Sequence, residues 1–224
     1  MKVLDHGHIK LIDSMGSDID IVNAARTSFD GSESEMNERN IGLVNFLMKN
    51  RHGTPFEMVE VKFEVKAPIF VFREWHRHRI ASINEMSGRY VELEREFYVP
   101  HRDDIREQKG KPGAYYYERM ENDARAKQVQ SYIHAGAEVS FDDYERMLKQ
   151  GVAKEIARLV LPLNTYSKMV WKTNLRAAMN FVSLRNHQHA QLEIREYASV
   201  MENILFQVAP VSMKSFVENG RTQP

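Results

Sequence analysis

The sequence predicts an α+β domain in which helices dominate and strands are few. Its 224 residues are 42% hydrophobic, which is enough to bury one large core. Apolar side chains recur at helical spacing along most of the chain, whereas strict alternation of apolar and charged residues is confined to short stretches. No internal repeat or linker divides it, so we expect a single domain over 1–217 followed by a frayed tail at 218–224.

Two helices are predicted to open the chain. Ser17, with Asp20 three residues later, has the pattern of a helix cap ahead of an apolar stripe that reaches Ala25. A second stripe at helical spacing covers 41–48 and ends before Gly53.

The clearest strand covers 59–66, where valine and phenylalanine alternate with glutamate and lysine. Pro68 then suits the first turn of a helix over 69–79, although the apolar run at 69–72 is also compatible with a buried strand. A second strand is predicted over 90–99.

The segment 101–113 (HRDDIREQKGKPG) is highly charged and is interrupted by glycine and proline, which predicts a mobile surface loop. Pro162 ends the last of three helices that follow this loop. The remaining predicted elements are helices at 114–137, 141–150 and 153–161, a strand at 165–173, and helices at 175–182 and 194–208.

Composition excludes several classes of protein. Thirty-one basic residues balance thirty-one acidic ones, which argues against binding to nucleic acid or to an anionic membrane through overall charge. The chain has no cysteine, which excludes disulfides, thiolate metal sites and thiolate nucleophiles. There is no hydrophobic targeting segment and no apolar run of membrane-spanning length, so we expect a soluble cytoplasmic protein without membrane partners.

Arginine and histidine are concentrated between Arg73 and Tyr90 (REWHRHRIASINEMSGRY), where no lysine occurs. A solvated charged turn is the ordinary explanation of such a run. Guanidinium groups, however, suit bidentate contacts to phosphate or carboxylate, and the hydroxyl, amide and glycine positions that follow add further donors. The segment therefore indicates a site for an anionic small molecule.

A second polar group lies downstream among apolar stripes, and it predicts another wall of the same site. Arg176 and Asn180 are one helical turn apart and share a face. The whole group is Arg158, Asn174, Arg176, Asn180, Arg185 and His189.

Two histidine pairs, at 76/78 and at 187/189, also raise the question of a metal site. Neighbouring arginines would repel a dication, and no third ligand accompanies either pair at a fixed spacing. On a helix, residues two apart also point about 200° away from each other. We expect no metal.

Arg77-His78-Arg79, followed after seven residues by Ser87, resembles the R-H-R-x7-S signature of the flavin-dependent thymidylate synthases. Further blocks resemble the same family at 24–30, 52–57, 158–185 and 189–198, whereas 101–113 and the tail do not.

The resemblance implies that 1–217 is one catalytic domain, with helices packed on a small, mainly antiparallel sheet. It implies a homotetramer with active sites shared between subunits and a methyltransferase activity in nucleotide biosynthesis. The implied reaction is reductive methylation of dUMP to dTMP, with 5,10-methylenetetrahydrofolate as one-carbon donor and NADPH as reductant through FAD, releasing tetrahydrofolate.

The resemblance also assigns site residues. FAD would contact Thr54, Arg77, His78, Arg79, Glu85, Asn174, Arg176 and Asn180, with His52 and His189 nearby. The dUMP site would use Glu74, Trp75, His76, Arg77, Glu85, Met86, Ser87, Gly88, Arg89, Arg158 and Arg185. Arg185 matches the residue that activates the uracil ring. Glu74 stands where many relatives have glutamine, so a carboxylate replaces an amide donor near a phosphate.

The absence of cysteine agrees with this resemblance, because the better-known thymidylate synthases attack uracil with a cysteine. The guanidinium of Arg185 could instead stabilise negative charge on the pyrimidine, and a reduced flavin could supply the hydride. Ser87 is a weaker candidate for a nucleophile, since no motif lysine or His–carboxylate pair would activate it.

Two other functions fit parts of the sequence. The arginines could hold nucleic-acid phosphates while Trp75, Tyr90 and Tyr98 stack on bases, although the zero net charge weighs against that. The protein could also be a flavin reductase without methyl transfer.

Overall fold

The computed structural model describes all 224 residues, which form two compact units. The first unit comprises Met1–Lys66, Val71–Glu85 and Lys168–Pro224, and the second comprises Ala67–Phe70 and Met86–Ser167. The predicted α+β class is confirmed, whereas the assignment of 1–217 to one domain stays a prediction. No helix is both long and apolar enough to cross a lipid bilayer.

One sheet has five strands: β1 (Lys2–Val3), β2 (Gly7–Met15), β3 (Glu60–Pro68), β4 (Ser82–Glu85) and β7 (Tyr166–Asn174). Their order in the sheet is β1-β2-β3-β7-β4. The pairs β1–β2, β2–β3 and β4–β7 are antiparallel.

The strands with regular patterns were predicted correctly. In β3 the alternating residues Val61, Phe63 and Val65 are buried, as period-two burial requires. The prediction that two helices open the chain was wrong, because β1 and β2 precede them. A register shift between Leu11 and Asp13 interrupts the alternation of β2, so its pattern could not be recognised.

Five helices belong wholly to the first unit: α1 (Asp18–Arg26), α2 (Glu38–Lys49), α6 (Leu175–Arg185), α7 (Leu192–Val208) and α8 (Pro210–Glu218). The predicted cap of α1 is present, since the Ser17 backbone N–H donates to Asp20 Oδ2 at 2.8 Å. Helix α3 (Ile69–Trp75) was also predicted, but it ends four residues early. The Arg77-His78-Arg79 motif therefore lies in the turn that follows the helix.

The second unit departs furthest from the prediction. The segment 101–113 is not simply a loop: β5 (Arg106–Lys111) pairs with β6 (Ala114–Arg119) in a hairpin. Gly110 and Gly113 have φ values of +89° and +85°, which only glycine adopts easily. The predicted helix at 114–137 was wrong over its first residues, because the tyrosines of β6 favour a strand.

One 27-residue helix, α4 (Asp123–Lys149), replaces the predicted pair at 114–137 and 141–150. It begins where the Asn122 side chain accepts a hydrogen bond from Arg125 N at 3.0 Å. It is followed by α5 (Lys154–Ala157) and a short 3₁₀ helix (Arg158–Val160). The predicted strand at 90–99 was wrong, since only an isolated bridge joins Phe97 to Thr165.

Candidate active site

A cavity of about 650 Å³ lies within the first unit. That volume is in the range of small-molecule sites. Six residues predicted to bind the flavin line it: Arg77, His78, Arg79, Asn174, Arg176 and Asn180. Sequence reasoning did not place five other lining residues there: Glu57, Ile80, Trp171, Ala177 and Gln223.

The turn after α3 and the first turns of α6 supply most of this lining. Asn174 caps α6, because its Oδ1 accepts from Ala177 N at 2.9 Å. That bond fixes the start of the helix and so places Arg176 and Asn180 on the face that lines the cavity. Three arginines against one glutamate, Glu57, make the lining suited to an anionic ligand.

Arg176 is held closely against the chain. Its Nη1 donates to Glu57 Oε1 at 2.6 Å, and its Nε donates to Pro224 O at 2.8 Å. The guanidinium also lies over Gly53, where a Cβ would be only 2.3 Å from Arg176 Nε. Glycine is therefore the only residue type at position 53 that leaves room for the guanidinium of Arg176.

Arg185, at the end of α6, donates a hydrogen bond from each of its three nitrogens. Nε donates to His78 Nε2 at 3.0 Å, Nη1 to Glu74 Oε2 at 2.7 Å, and Nη2 to Glu74 O at 3.0 Å. The side chains of Arg185 and Glu74 are 20% and 27% exposed, so this ion pair is largely shielded from water.

The surroundings of Arg185 shift the pKa values of its partners. Burial, and then the positive charge of Arg185, lower the pKa of His78 to about 4. Burial raises the pKa of Glu74, as does nearby Glu193, while Arg185 and Arg77 oppose the rise. Because His78 is neutral and accepts at Nε2, its proton is on Nδ1.

The other predicted residues of the first unit contribute differently. Trp75 is fully buried, with its ring 4.4 Å from that of Phe181, so its side chain has no surface to offer to a ligand. His76 Nε2 lies 3.5 Å from Glu85 Oε2. Three predicted residues, Thr54, His52 and His189, are exposed and do not line the cavity.

Further predicted residues lie together in the second unit. Arg89 Nε donates to Glu155 Oε2 at 3.1 Å, and the Arg89 backbone N–H donates to Ser87 Oγ at 3.3 Å. A Cβ on Gly88 would be 3.3 Å from Arg158 Cδ, so Arg158 lies against this turn. Met86 is half-buried beside it. No three His, Asp or Glu side chains are grouped to hold a metal ion.

The flavin cofactor implied by the resemblance fits the chemistry of the cavity. The guanidiniums of Arg77, Arg79 and Arg176 suit a pyrophosphate, and the amides of Asn174 and Asn180 suit polar ring edges. Ile80 and Trp171 add apolar surface.

Comparison with known proteins agrees with these observations. A family model described as "Thymidylate synthase complementing protein" matches residues 10–211. The chain is 43% identical over 220 residues to the flavin-dependent thymidylate synthase of Gluconobacter oxydans, covering 97% of this chain and 72% of the relative. It is 42% identical over 219 residues to that of Thermosipho melanesiensis, covering 97% and 93%.

A solved structure is also similar over its full length. The UMP/dUMP methylase PolB from Streptomyces cacaoi, bound with 5-Br dUMP, superposes with a TM-score of 0.91 at 40% identity, covering 100% of both chains. With the R-H-R turn lining an arginine-rich cavity and the family model matching 10–211, the chain belongs to the flavin-dependent thymidylate synthase family.

Proposed function

We propose that this protein is a thymidylate synthase that methylates dUMP to dTMP. In this proposal 5,10-methylenetetrahydrofolate donates the one-carbon unit, NADPH is the reductant, and tetrahydrofolate is released. The observation that carries it is the anchored guanidinium of Arg185 in a chain without cysteine, beside a cavity suited to a flavin. The names of the relatives and of PolB support the same reaction.

FAD would be held by the cavity of the first unit. Arg77, Arg79 and Arg176 would bind its phosphates, and Asn174 and Asn180 would contact polar atoms of its rings. When bound, the flavin would supply the hydride. His78 is an unsuitable partner for a phosphate, because it is neutral and its Nε2 accepts from Arg185.

Arg185 would act on the uracil ring. A guanidinium has five N–H groups, and three are already used, which leaves one on each Nη for a ring oxygen. Its fixed position would stabilise negative charge on the pyrimidine without reorganisation during the reaction. Arg185 is therefore the proposed catalytic residue.

The second unit would contribute anion-binding groups of its own. Ser87, Gly88 and Arg89 form a turn, and Arg158 lies against its glycine, so a hydroxyl and two guanidiniums are available for a nucleotide phosphate. The hydroxyl of Ser87 already accepts from the Arg89 backbone N–H, which agrees with a positioning role rather than nucleophilic attack.

A homotetramer with shared active sites is part of the proposal. Large apolar side chains are exposed on the second unit: Tyr132 and Val139 on α4, then Ile156, Leu159 and Leu163, exposed from 52% to 73%. Such surfaces are commonly covered by another subunit. Light scattering should report about four chains. We propose a cytoplasmic location, in keeping with the nucleotide and folate substrates.

The test is to incubate the protein with dUMP, methylenetetrahydrofolate, FAD and NADPH and to measure dTMP and the folate product. We expect dTMP with tetrahydrofolate rather than dihydrofolate. NADPH oxidation without dTMP would indicate a flavin reductase, and a protein that takes up no flavin would overturn the proposal. A parallel assay with UMP defines the substrate, since PolB is described as a UMP/dUMP methylase.

A further inference from the structure

We propose that Glu74 and His78 are positioning residues for Arg185, which fix its guanidinium so that two of its N–H groups face the substrate. This inference rests on the proposed function for the role of Arg185, but the anchoring itself can be measured separately.

The geometry determines the plane of the guanidinium. Glu74 contributes two acceptors, its side-chain Oε2 and its main-chain O, to the two terminal nitrogens of Arg185, at 2.7 and 3.0 Å. His78 Nε2 accepts a hydrogen bond from the remaining nitrogen of Arg185, Nε, at 3.0 Å. Because all three nitrogens are hydrogen-bonded, the planar guanidinium cannot rotate freely. The ammonium group of a lysine is a point charge and could not be held in one plane in this way.

The position of these partners in the chain explains how they act together. Glu74 is in the last turn of α3, and His78 follows in the turn after that helix, while Arg185 ends α6. His78 also packs edge-on against Phe181, with ring centroids 4.9 Å apart, one turn before Arg185. The ring that accepts from Arg185 is thus itself held by the same helix.

The charges around the anchor favour this arrangement. Glu74 faces Arg185, Arg77 and Glu193, so its carboxylate is attracted by two cations and repelled by one anion. Only one full negative charge is bonded to Arg185, and the imidazole is neutral. Arg185 is therefore fixed in place while it keeps the capacity to attract a further anion.

The test compares Glu74→Leu, which removes the side-chain acceptor, with Glu74→Gln, which keeps it without the charge. If Glu74 positions Arg185, Glu74→Leu should lower kcat for dTMP at least about tenfold with little change in the KM for dUMP, and Glu74→Gln should recover most of that loss. A rise in KM with kcat retained would overturn the proposal, because it would indicate that Glu74 contacts the substrate directly.

Nitrogen NMR of His78 tests the anchor without using activity. In the wild-type protein we expect the Nδ1–H tautomer with a pKa of about 4, and in Arg185→Ala the pKa of His78 should rise because a nearby positive charge is removed. A wild-type His78 with an ordinary pKa would overturn the anchoring even if dTMP is formed. A protein that makes no dTMP but shows this titration would refute the proposed function and leave the anchor supported. Thermal unfolding of each variant checks that it is folded under the assay conditions, so that the comparison is between folded proteins.

Discussion

Arg185 in the first unit and Arg95 in the second each donate hydrogen bonds from three nitrogens, but their partners differ. Arg95 bonds to three carboxylates on one face of α4, at 2.7, 2.7 and 3.0 Å: Glu138, Asp142 and Glu145. Arg185 bonds to one carboxylate, one main-chain carbonyl and one neutral imidazole. The number of hydrogen bonds is therefore no guide to what an arginine does.

The balance of charge differs between the Arg95 cluster (Arg95, Glu138, Asp142 and Glu145) and the Arg185 cluster (Arg185, Glu74 and His78). Three carboxylates raise the pKa of Arg95, and Arg95 in turn lowers the pKa of Asp142. Arg95, surrounded by three anions, can attach its segment of the chain to α4. Because its positive charge is neutralised by these carboxylates, it attracts a further anion only weakly. Arg185 has one anion bonded to it, so it can still attract the charge that develops on a substrate.

The cause of the pKa shifts also differs. Around Arg95 the largest causes are hydrogen bonds between exposed charges. Around Arg185 the largest cause is burial, which lowers the pKa of His78 and raises that of Glu74. Desolvated titratable groups beside a cavity are typical of active sites, whereas exposed ion pairs are typical of surfaces.

The sharpest test of this comparison is to remove Arg185. Arg185→Ala should lower single-turnover formation of dTMP at saturating dUMP by about 10²-fold, the scale for one preorganised charge-stabilising donor. Reduction of the flavin by NADPH should remain. Arg185→Lys should restore little, because lysine keeps the charge but not the three-nitrogen geometry. Normal turnover in Arg185→Ala would remove the functional distinction between the two arginines.

A third arginine extends the comparison to the cavity. In Gly53→Ala the new Cβ would lie 2.3 Å from Arg176 Nε, so the guanidinium must leave Glu57 and Pro224 O. FAD binding, followed by flavin fluorescence, should weaken about tenfold, the scale of one charge-assisted hydrogen bond. Gly42→Ala is the matched control, because a Cβ there meets nothing within 4 Å. Equal affinities in the two variants would contradict the role of Arg176.

Acid should remove the contributions of the Arg185 cluster and the Arg95 cluster to folding stability in different pH windows. The folded-state pKa of His78, about 4, is below its ordinary 6.5, so the unfolded chain binds the proton more readily between these values. Stability from this group is complete above pH 6.5 and is lost as the pH falls to about 4. The lowered pKa of Asp142 instead gives stability that is lost below its ordinary 3.8.

The raised pKa of Glu74 has the opposite effect on stability, because the folded state binds this proton more readily and is therefore favoured as the pH falls. The measurement is therefore the unfolding midpoint against pH for the wild type and for His78→Gln, whose amide oxygen can accept from Arg185 Nε without titrating. The decline between pH 6.5 and 4 should be smaller in His78→Gln. Parallel curves would show that His78 does not titrate as its surroundings require.

The sequence predicts local periodicity better than it predicts contacts between distant residues. The alternation of β3 and the apolar stripes of α1 and α2 are local, and each was confirmed. Strand β2 was missed because its bulge breaks the alternation, and the hairpin of β5 and β6 was missed because charge and glycine resemble a loop.

The same limit applies to the site. The arginine-rich turn and the polar residues of α6 could be identified as the walls of one cavity because their residue types are unusual in apolar segments. Glu57 and Gln223 could not, since nothing local distinguishes them from surface residues. The tail was predicted to be frayed, but Arg221 Nε donates to Glu202 Oε1 at 3.0 Å, and Gln223 lines the cavity.

The smallest expected effect on activity comes from Arg95. Arg95→Ala should leave dTMP formation unchanged, because the Arg95 side chain contacts α4, through three carboxylates and the ring of Phe141, but it should lower the thermal unfolding midpoint. High salt should reduce the difference from the wild type, since these charges are exposed. Arg146→Ala is the matched control, an exposed arginine on the same helix with one ion-pair partner, Asp143 at 3.1 Å. A midpoint no lower than that of Arg146→Ala would show that three carboxylates give Arg95 no more stabilising effect than one, whereas a loss of dTMP synthesis would show that the two clusters are not functionally distinct.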